Sequence, residues 1–199
     1  MTDTKEAKRT GRPRAFDAEQ GVATAARLFW EKGYDAVGVA ELAQSIGINP
    51  PSLYAAFGSK RELFQRALGH YSATQGQFFS WLETPDAPAY ETLVRVLAEA
   101  ARSGTADAAA RGCLVLDGTR NCTDPAARAL TAAVRAELRE KARALVAREH
   151  PAMAEAAADY FMFVLTAISG SAIEGTPLPR LMQDIDLASR GLRNMLGQG

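Results

Sequence analysis

Residues 38–60 read GVAELAQSIGINPPSLYAAFGSK: a short helix-forming run, a glycine, and a second short run opened by prolines. The spacing predicts one helix over 39–45, ended by Gly47, and another over 50–57. Asn49 suits the cap of the second helix, and proline is harmless in a first turn because the N–H it lacks has no partner there. Ala43 is small enough to let the two helices cross closely, and Gly47 accepts the left-handed backbone of the turn. Leu42, Ile46, Ile48 and Leu53 would pack the pair onto a preceding helix. Two short helices joined this way form a helix-turn-helix, whose second helix enters the major groove of duplex DNA. Spacing alone describes any tight helical hairpin equally well.

Outward from this stretch the chain keeps reading as helix, since Ala, Leu, Arg and Glu dominate and strict apolar–polar alternation is absent. Asp17 and Gln20 make a capping box, Val22, Ala25, Ala26 and Phe29 an apolar stripe, and Gly33 a stop, which predicts a helix over 17–32. Ser59 and Glu62 make a second capping box, opening a long helix towards Trp81. Beyond the Pro85–Pro88 break, helices are expected at about 89–102, 107–120, 125–149, 152–174 and 178–196, with Asp124-Pro125 marking one start. The class is all-α.

A chain of 199 residues with 47% hydrophobic residues buries a real core. The longest clear apolar run, residues 160–168, falls far short of the roughly 20 residues a bilayer crossing needs, so no membrane span is expected. The opening segment is polar and two cysteines do not make a disulfide scaffold, so the expected location is cytoplasmic. Formal net charge is zero. Its distribution is uneven, however: Lys5, Lys8, Arg9, Arg12 and Arg14 face only Asp3 and Glu6, whereas acids outnumber bases after residue 70. A basic arm on such a body suits docking on phosphate. The proline-stiffened Gly11-Arg12-Pro13-Arg14 fits a narrow minor groove; the alternative is a merely solubilising tail.

Residues 11–71 resemble the N-terminal domain of the TetR/AcrR family of transcriptional regulators. The match runs in order through Ala25-Ala26-Arg27-Leu28-Phe29, Gly33-Tyr34, Val39, Leu42-Ala43, Gly47-Ile48, Leu53-Tyr54, Phe57, Ser59-Lys60 and Leu63. The resemblance implies a flexible basic arm (1–15), a three-helix DNA-binding domain (16–60) and a helical ligand-sensing and dimerisation domain (61–199). It also implies a ligand-released repressor that binds a palindromic double-stranded operator as a homodimer. Arg12, Arg14, Gly38, Asn49, Pro50, Pro51, Ser52, Tyr54 and Lys60 are the implied DNA-binding residues, with Tyr54 and Lys60 on phosphate. Two departures stand out. Ala55 and Ala56 replace larger residues, and Gly38 replaces the usual hydroxyl residue, which leaves a backbone N–H as the only donor there.

After residue 71 the chain matches the family only in being helical. The resemblance implies a small, largely apolar effector held between these helices, for which Phe78, Cys113, Asp117, Tyr160 and Phe161 are candidates. The last two helices match the family's dimer-forming pair; Ala167, Gly170, Ser171 and Gly175 would allow close packing there, and Leu181, Ile185, Leu192 and Leu196 supply a stripe. Arg111-Gly112-Cys113-Leu114 resembles a segment in a subset of the family that senses electrophiles or oxidants through that cysteine; the alternative is a buried small hydrophobe. Cys122 is no intramolecular partner, since helix over 113–122 would separate the two by about 13.5 Å, well beyond the roughly 7 Å a disulfide tolerates. His70 and His150 stand alone, so no metal site and no cofactor are expected. An all-α enzyme is the rival class, but no nucleophile–base pair or phosphate-binding glycine loop is legible, and no catalytic residue is assigned.

Overall fold

The computed structural model describes residues 17–197, which form helices and loops without strands. The basic arm, with Arg12 and Arg14, lies outside the described residues. Helix α1 (Ala18–Lys32) starts where the Asp17 carboxylate accepts from the Glu19 and Gln20 N–H groups, at 3.0 and 3.3 Å, and stops at Gly33 with φ +78°. Helix α2 (Val39–Ile46) ends at Gly47, φ +82°, whose N–H closes on the Ala43 and Gln44 carbonyls. Helices α3 (Pro50–Phe57) and α4 (Lys60–Thr74) follow. Their buried side chains, Phe29, Leu42, Leu53, Phe57, Leu63 and Phe64, form one core. Phe29 meets Phe64 edge to face at 5.0 Å between centroids.

The remaining helices are α5 (Ala89–Thr105), α6 (Leu114–Asp117), α7 (Pro125–Ala147), α8 (Ala154–Ile173) and α9 (Leu178–Met195). Helix α8 packs on α5, α7 and α9. Leu93, Val96 and Leu97 of α5, Leu145 of α7, Phe161 and Leu165 of α8, and Leu181 and Ile185 of α9 fill this second core. By length and composition the stretch Pro151–Ile173 could cross a membrane, a property that counting uninterrupted apolar residues did not register. In this fold its inward stripe, from Ala154 through Phe161 to Ala172, belongs to the second core.

Three sequence expectations are corrected. The fourth helix does not continue to Trp81 but stops at Thr74, and a tight 3-10 turn over Gln77–Leu82 follows. Phe78, Phe79 and Trp81 cannot share one face of an α-helix; the turn gathers them, with the Phe78 and Phe79 centroids 4.4 Å apart. Helix over 107–120 shrinks to α6. Good helix formers precede it, but Asp107 is drawn to Arg27 of α1, and Gly112 takes φ +74° beneath Ile173, where a Cβ would lie 2.6 Å from Cγ1. Tertiary contact here overrides propensity. Finally, the Leu181, Ile185, Leu192 and Leu196 stripe faces the chain's own core. The outward apolar side chains of α8 and α9 are instead led by Phe163 and Leu187, 71% and 58% exposed, with Ile173 at 46%.

Truncation of Phe64, fully buried at the centre of the first core, is expected to cost about 3–5 kcal/mol. Urea unfolding of Phe64→Ala checks this; a change under 1 kcal/mol, on the order of a surface substitution, would contradict the packing described.

Candidate nucleic-acid interface

Helix α3 turns Leu53 and Phe57 inward and leaves Asn49, Pro50, Pro51, Ser52, Tyr54 and Ala55 on the surface. Tyr54 is 50% exposed, too open for a packing residue. The start of α3 is chemically unusual. Helix N-termini usually bind anions through free N–H groups. Here Pro50 and Pro51 have none, and the Ser52 N–H is taken at 2.8 Å by the Asn49 side-chain oxygen. Apart from the Asn49 backbone N–H, the donors this turn can offer DNA are side chains: the Asn49 amide N–H₂, the Ser52 hydroxyl and the Tyr54 hydroxyl. Ala55 and the proline rings add apolar surface suited to thymine methyl groups and groove shape.

The sequence reading missed a support of this helix. Arg66 of α4 reaches the C-terminal end of α3, donating to the Ala56 carbonyl at 3.4 Å with its guanidinium 5.8 Å from the Phe57 ring centre. A cation there complements both the unpaired carbonyls and the helix dipole. Its spacing from Phe57, across the Gly58 turn, carries no sequence signal. At the start of α2, Gly38 is exposed and lacks a side chain to cap, and Lys32 pairs with Glu41 nearby.

Lys60 opens α4, whose cap is the Ser59 hydroxyl accepting from the Glu62 N–H at 3.1 Å. The Lys60 ammonium lies 4.2 Å above the centre of the Tyr34 ring. Burial pulls its pKa down, opposed by the charge of Asp35. Tyr34 donates its hydroxyl to Asp124 at 3.2 Å and its N–H to the Gly118 carbonyl at 2.8 Å. Burial and then Asp124 push its pKa up to about 12, so the hydroxyl keeps its proton. Asp35 accepts from the Thr123 N–H and hydroxyl, at 2.7 and 2.9 Å, and from the Cys122 thiol at 3.1 Å. The Thr123 N–H and then the Cys122 thiol hold its carboxyl below the usual range.

Of the sensing candidates, Phe78 and Cys113 line one small cavity of about 20 Å³ with Tyr71 and Ile168. Burial raises the Cys113 thiol pKa, against a hydrogen bond with the Tyr71 hydroxyl. Asp117 adjoins it, accepting from Ser169 and pairing with Arg120. Tyr160 and Phe161 lie elsewhere: the Tyr160 hydroxyl donates to the Ala188 carbonyl on α9 at 2.9 Å, and Phe161 is fully buried in the core. None of the five lines the groove of about 640 Å³ that runs between α4, the 3-10 turn and α7 past Leu68, Tyr71, Phe79, Leu130 and Val134, although Phe78 also faces a groove of about 740 Å³ beside Trp81 and Arg102, and Asp117 one of about 310 Å³ beside Trp30 and Arg111. Tyr71 and Phe79 line both the first of these grooves and the small cavity and so form the wall between them. Both cysteines are free, separated by the single turn of α6 and the loop after it, not by the continuous helix the sequence suggested.

The Asn49 cap and its DNA role are separable. Asn49→Asp is expected to keep the cap, and hence the unfolding midpoint, while a carboxylate facing phosphate lowers affinity for all DNA; Asn49→Ala is expected to cost about 1 kcal/mol of stability. Fluorescence anisotropy beside thermal unfolding checks both, and unchanged DNA affinity in Asn49→Asp would remove Asn49 from the interface.

Comparison with known proteins agrees with this geometry. Residues 22–67 match the model of "Bacterial regulatory proteins, tetR family". The HTH-type transcriptional repressor BdcR of Escherichia coli K12 is 38% identical over 196 residues, 98% of this chain and 99% of the relative. The repressor ComR of the same organism is 41% identical over 64 residues, 32% of this chain and 30% of its own. Among solved structures, a cysteine mutant of the TetR family regulator CifR complexed with 26 bp operator DNA superposes with a TM-score of 0.80 at 34% identity, covering 90% of this chain and 98% of that one. The chain belongs to the TetR family of bacterial transcriptional regulators.

Proposed function

We propose that the protein is a repressor that reads a palindromic operator as a homodimer and lets go when a small apolar effector occupies its helical body. The observation that carries the DNA reading is the outward face of α3, where Asn49, Ser52 and the half-exposed Tyr54 stand clear of the core with Lys60 at the start of the next helix. Arg12 and Arg14, in the arm, would add minor-groove contacts. Because Pro50, Pro51 and Ser52 offer no free N–H at the α3 start, phosphate binding falls mainly to side chains, and few hydrogen-bonding side chains remain for bases. Sequence preference then rests partly on methyl contact and DNA shape.

Phe163 of α8 and Leu187 of α9 support a homodimer through the last two helices, since large apolar side chains this exposed mark an interaction surface. Effector binding is placed in the groove past Leu68 and Leu130, whose mostly apolar wall is Tyr71 and Phe79. Such a regulator works in the compartment that holds DNA, which makes it cytoplasmic. A thiol-based sensor of the same fold is supported by Cys113 lining the small cavity behind that wall. Burial raises its pKa, so at neutral pH it is mostly the less reactive thiol, and the effector reading stands first.

A gel shift with the DNA flanking the protein's own coding region tests repression: binding to one segment is expected to exceed binding to random duplex by about a thousandfold or more at physiological salt. Equal affinity for both would overturn the assignment. A mild electrophile is expected to leave the complex intact in wild type and in Cys113→Ser alike. Release in wild type and in Cys122→Ser, but not in Cys113→Ser, would promote the thiol reading over the effector.

A further inference from the structure

Lys60 is the residue of the interface whose position depends most on the rest of the chain. Its ammonium sits on the face of Tyr34, not on a residue of α3 or α4. Tyr34 in turn is gripped at both ends by the segment between α6 and α7: its N–H by the Gly118 carbonyl and its hydroxyl by Asp124. Its neighbour Asp35 holds Thr123 and Cys122 of the same segment through three further bonds. On its other sides the ring contacts Phe29, centroid 5.8 Å away, and Phe64, 4.9 Å away. The ring is thus fixed in the first core, and its polar edges are held by a loop that leads into α7, one wall of the effector groove.

We propose that Tyr34 is the positioning residue of Lys60: its ring is an electrostatic seat that aims the ammonium at the DNA backbone, and residues 118–124 set where that seat lies. A cation over an aromatic face is drawn to the negative quadrupole of the ring, most strongly when partly desolvated, as Lys60 is. A flexible four-carbon stem otherwise leaves a lysine head free to wander, and a wandering charge contributes less to phosphate binding. Tyr34 touches no phosphate on this account and acts through Lys60. The proposal rests on the reading of Lys60 as a phosphate ligand.

The test is a salt titration of binding to a random-sequence duplex, which reads phosphate contacts directly. Lys60→Ala is expected to lower the slope by about one. Tyr34→Leu is expected to lower it comparably and weaken binding roughly two- to thirtyfold, whereas Tyr34→Phe, which keeps the ring, retains the wild-type slope. Tyr34→Leu added to Lys60→Ala is expected to change little further, because a seat without its occupant has no effect. Since Tyr34→Leu also removes core volume, a pentafluorinated phenylalanine at position 34 provides the decisive arm: it keeps the shape but reverses the charge of the ring face, and it is expected to behave like Lys60→Ala. An unchanged slope in Lys60→Ala would overturn the phosphate reading itself, and the seat with it. A lowered slope in Lys60→Ala with a wild-type slope for the fluorinated ring would overturn the seat alone. Loss in Tyr34→Phe equal to that in Tyr34→Leu would assign positioning to the hydroxyl and Asp124, overturning the role of the ring.

Discussion

The four residues of α6 are a place where the two cores of the molecule meet within a single turn. Leu114 and Val115 are buried in the core that supports the recognition helix, and Leu116 in the core built by α5, α7, α8 and α9. Cys113, just before them, packs against both. A helix this short has almost no stability of its own, because nucleation costs more than one turn returns. It persists because apolar side chains on either side are removed from water at once. Any displacement of α6 must therefore be felt in both cores, since packed interiors transmit strain and do not absorb it.

Around this wedge, α1 is tied to the body at several places. The Trp30 indole N–H donates to the Gly112 carbonyl at 3.2 Å, and its ring meets Tyr71 edge to face at 5.1 Å. Tyr34 holds Gly118 and Asp124, and Arg27 pairs with Asp107. The exposed Arg27 pair adds little on its own. The Trp30 and Tyr34 bonds are better shielded and have fixed geometry. Together they make the loops before and after α6 a frame for α1, and α1 carries the first core. The two cores are thus coupled mechanically through α6 and the loops that flank it.

The recognition helix shows the opposite strategy. Pro50 and Pro51 pre-set the first turn and remove two backbone donors, while Asn49 takes a third. The helix gains rigidity and loses the generic anion site that most helix starts provide. What remains is a stiff apolar edge with a few hydroxyl and amide groups, braced from behind by Arg66.

The DNA-reading half was legible in the sequence because its determinants are local. Caps at Asp17, Asn49 and Ser59, stops at Gly33 and Gly47, and the apolar spacing of Leu42, Leu53 and Phe57 each act within a few residues, and the structure places α1 to α3 within one residue of the expected bounds. The resemblance named Tyr54 and Lys60 for the same reason. Tertiary structure alone decided the rest. Alanine-rich residues 106–110 favour helix locally, yet the stretch is loop: Gly112 takes a left-handed backbone packed under Ile173, a contact with a residue some sixty positions away that no helical period encodes. The expected long α4 stops at Thr74, and a 3-10 turn gathers Phe78, Phe79 and Trp81 into one cluster. Tyr34 appeared in the sequence only as a matching position, since its partners Gly118 and Asp124 lie more than eighty residues away. Short-range hydrogen bonds and periodicity are written in neighbouring residues; which apolar faces meet, and which lysine rests on which ring, is settled only when the two cores close on α6.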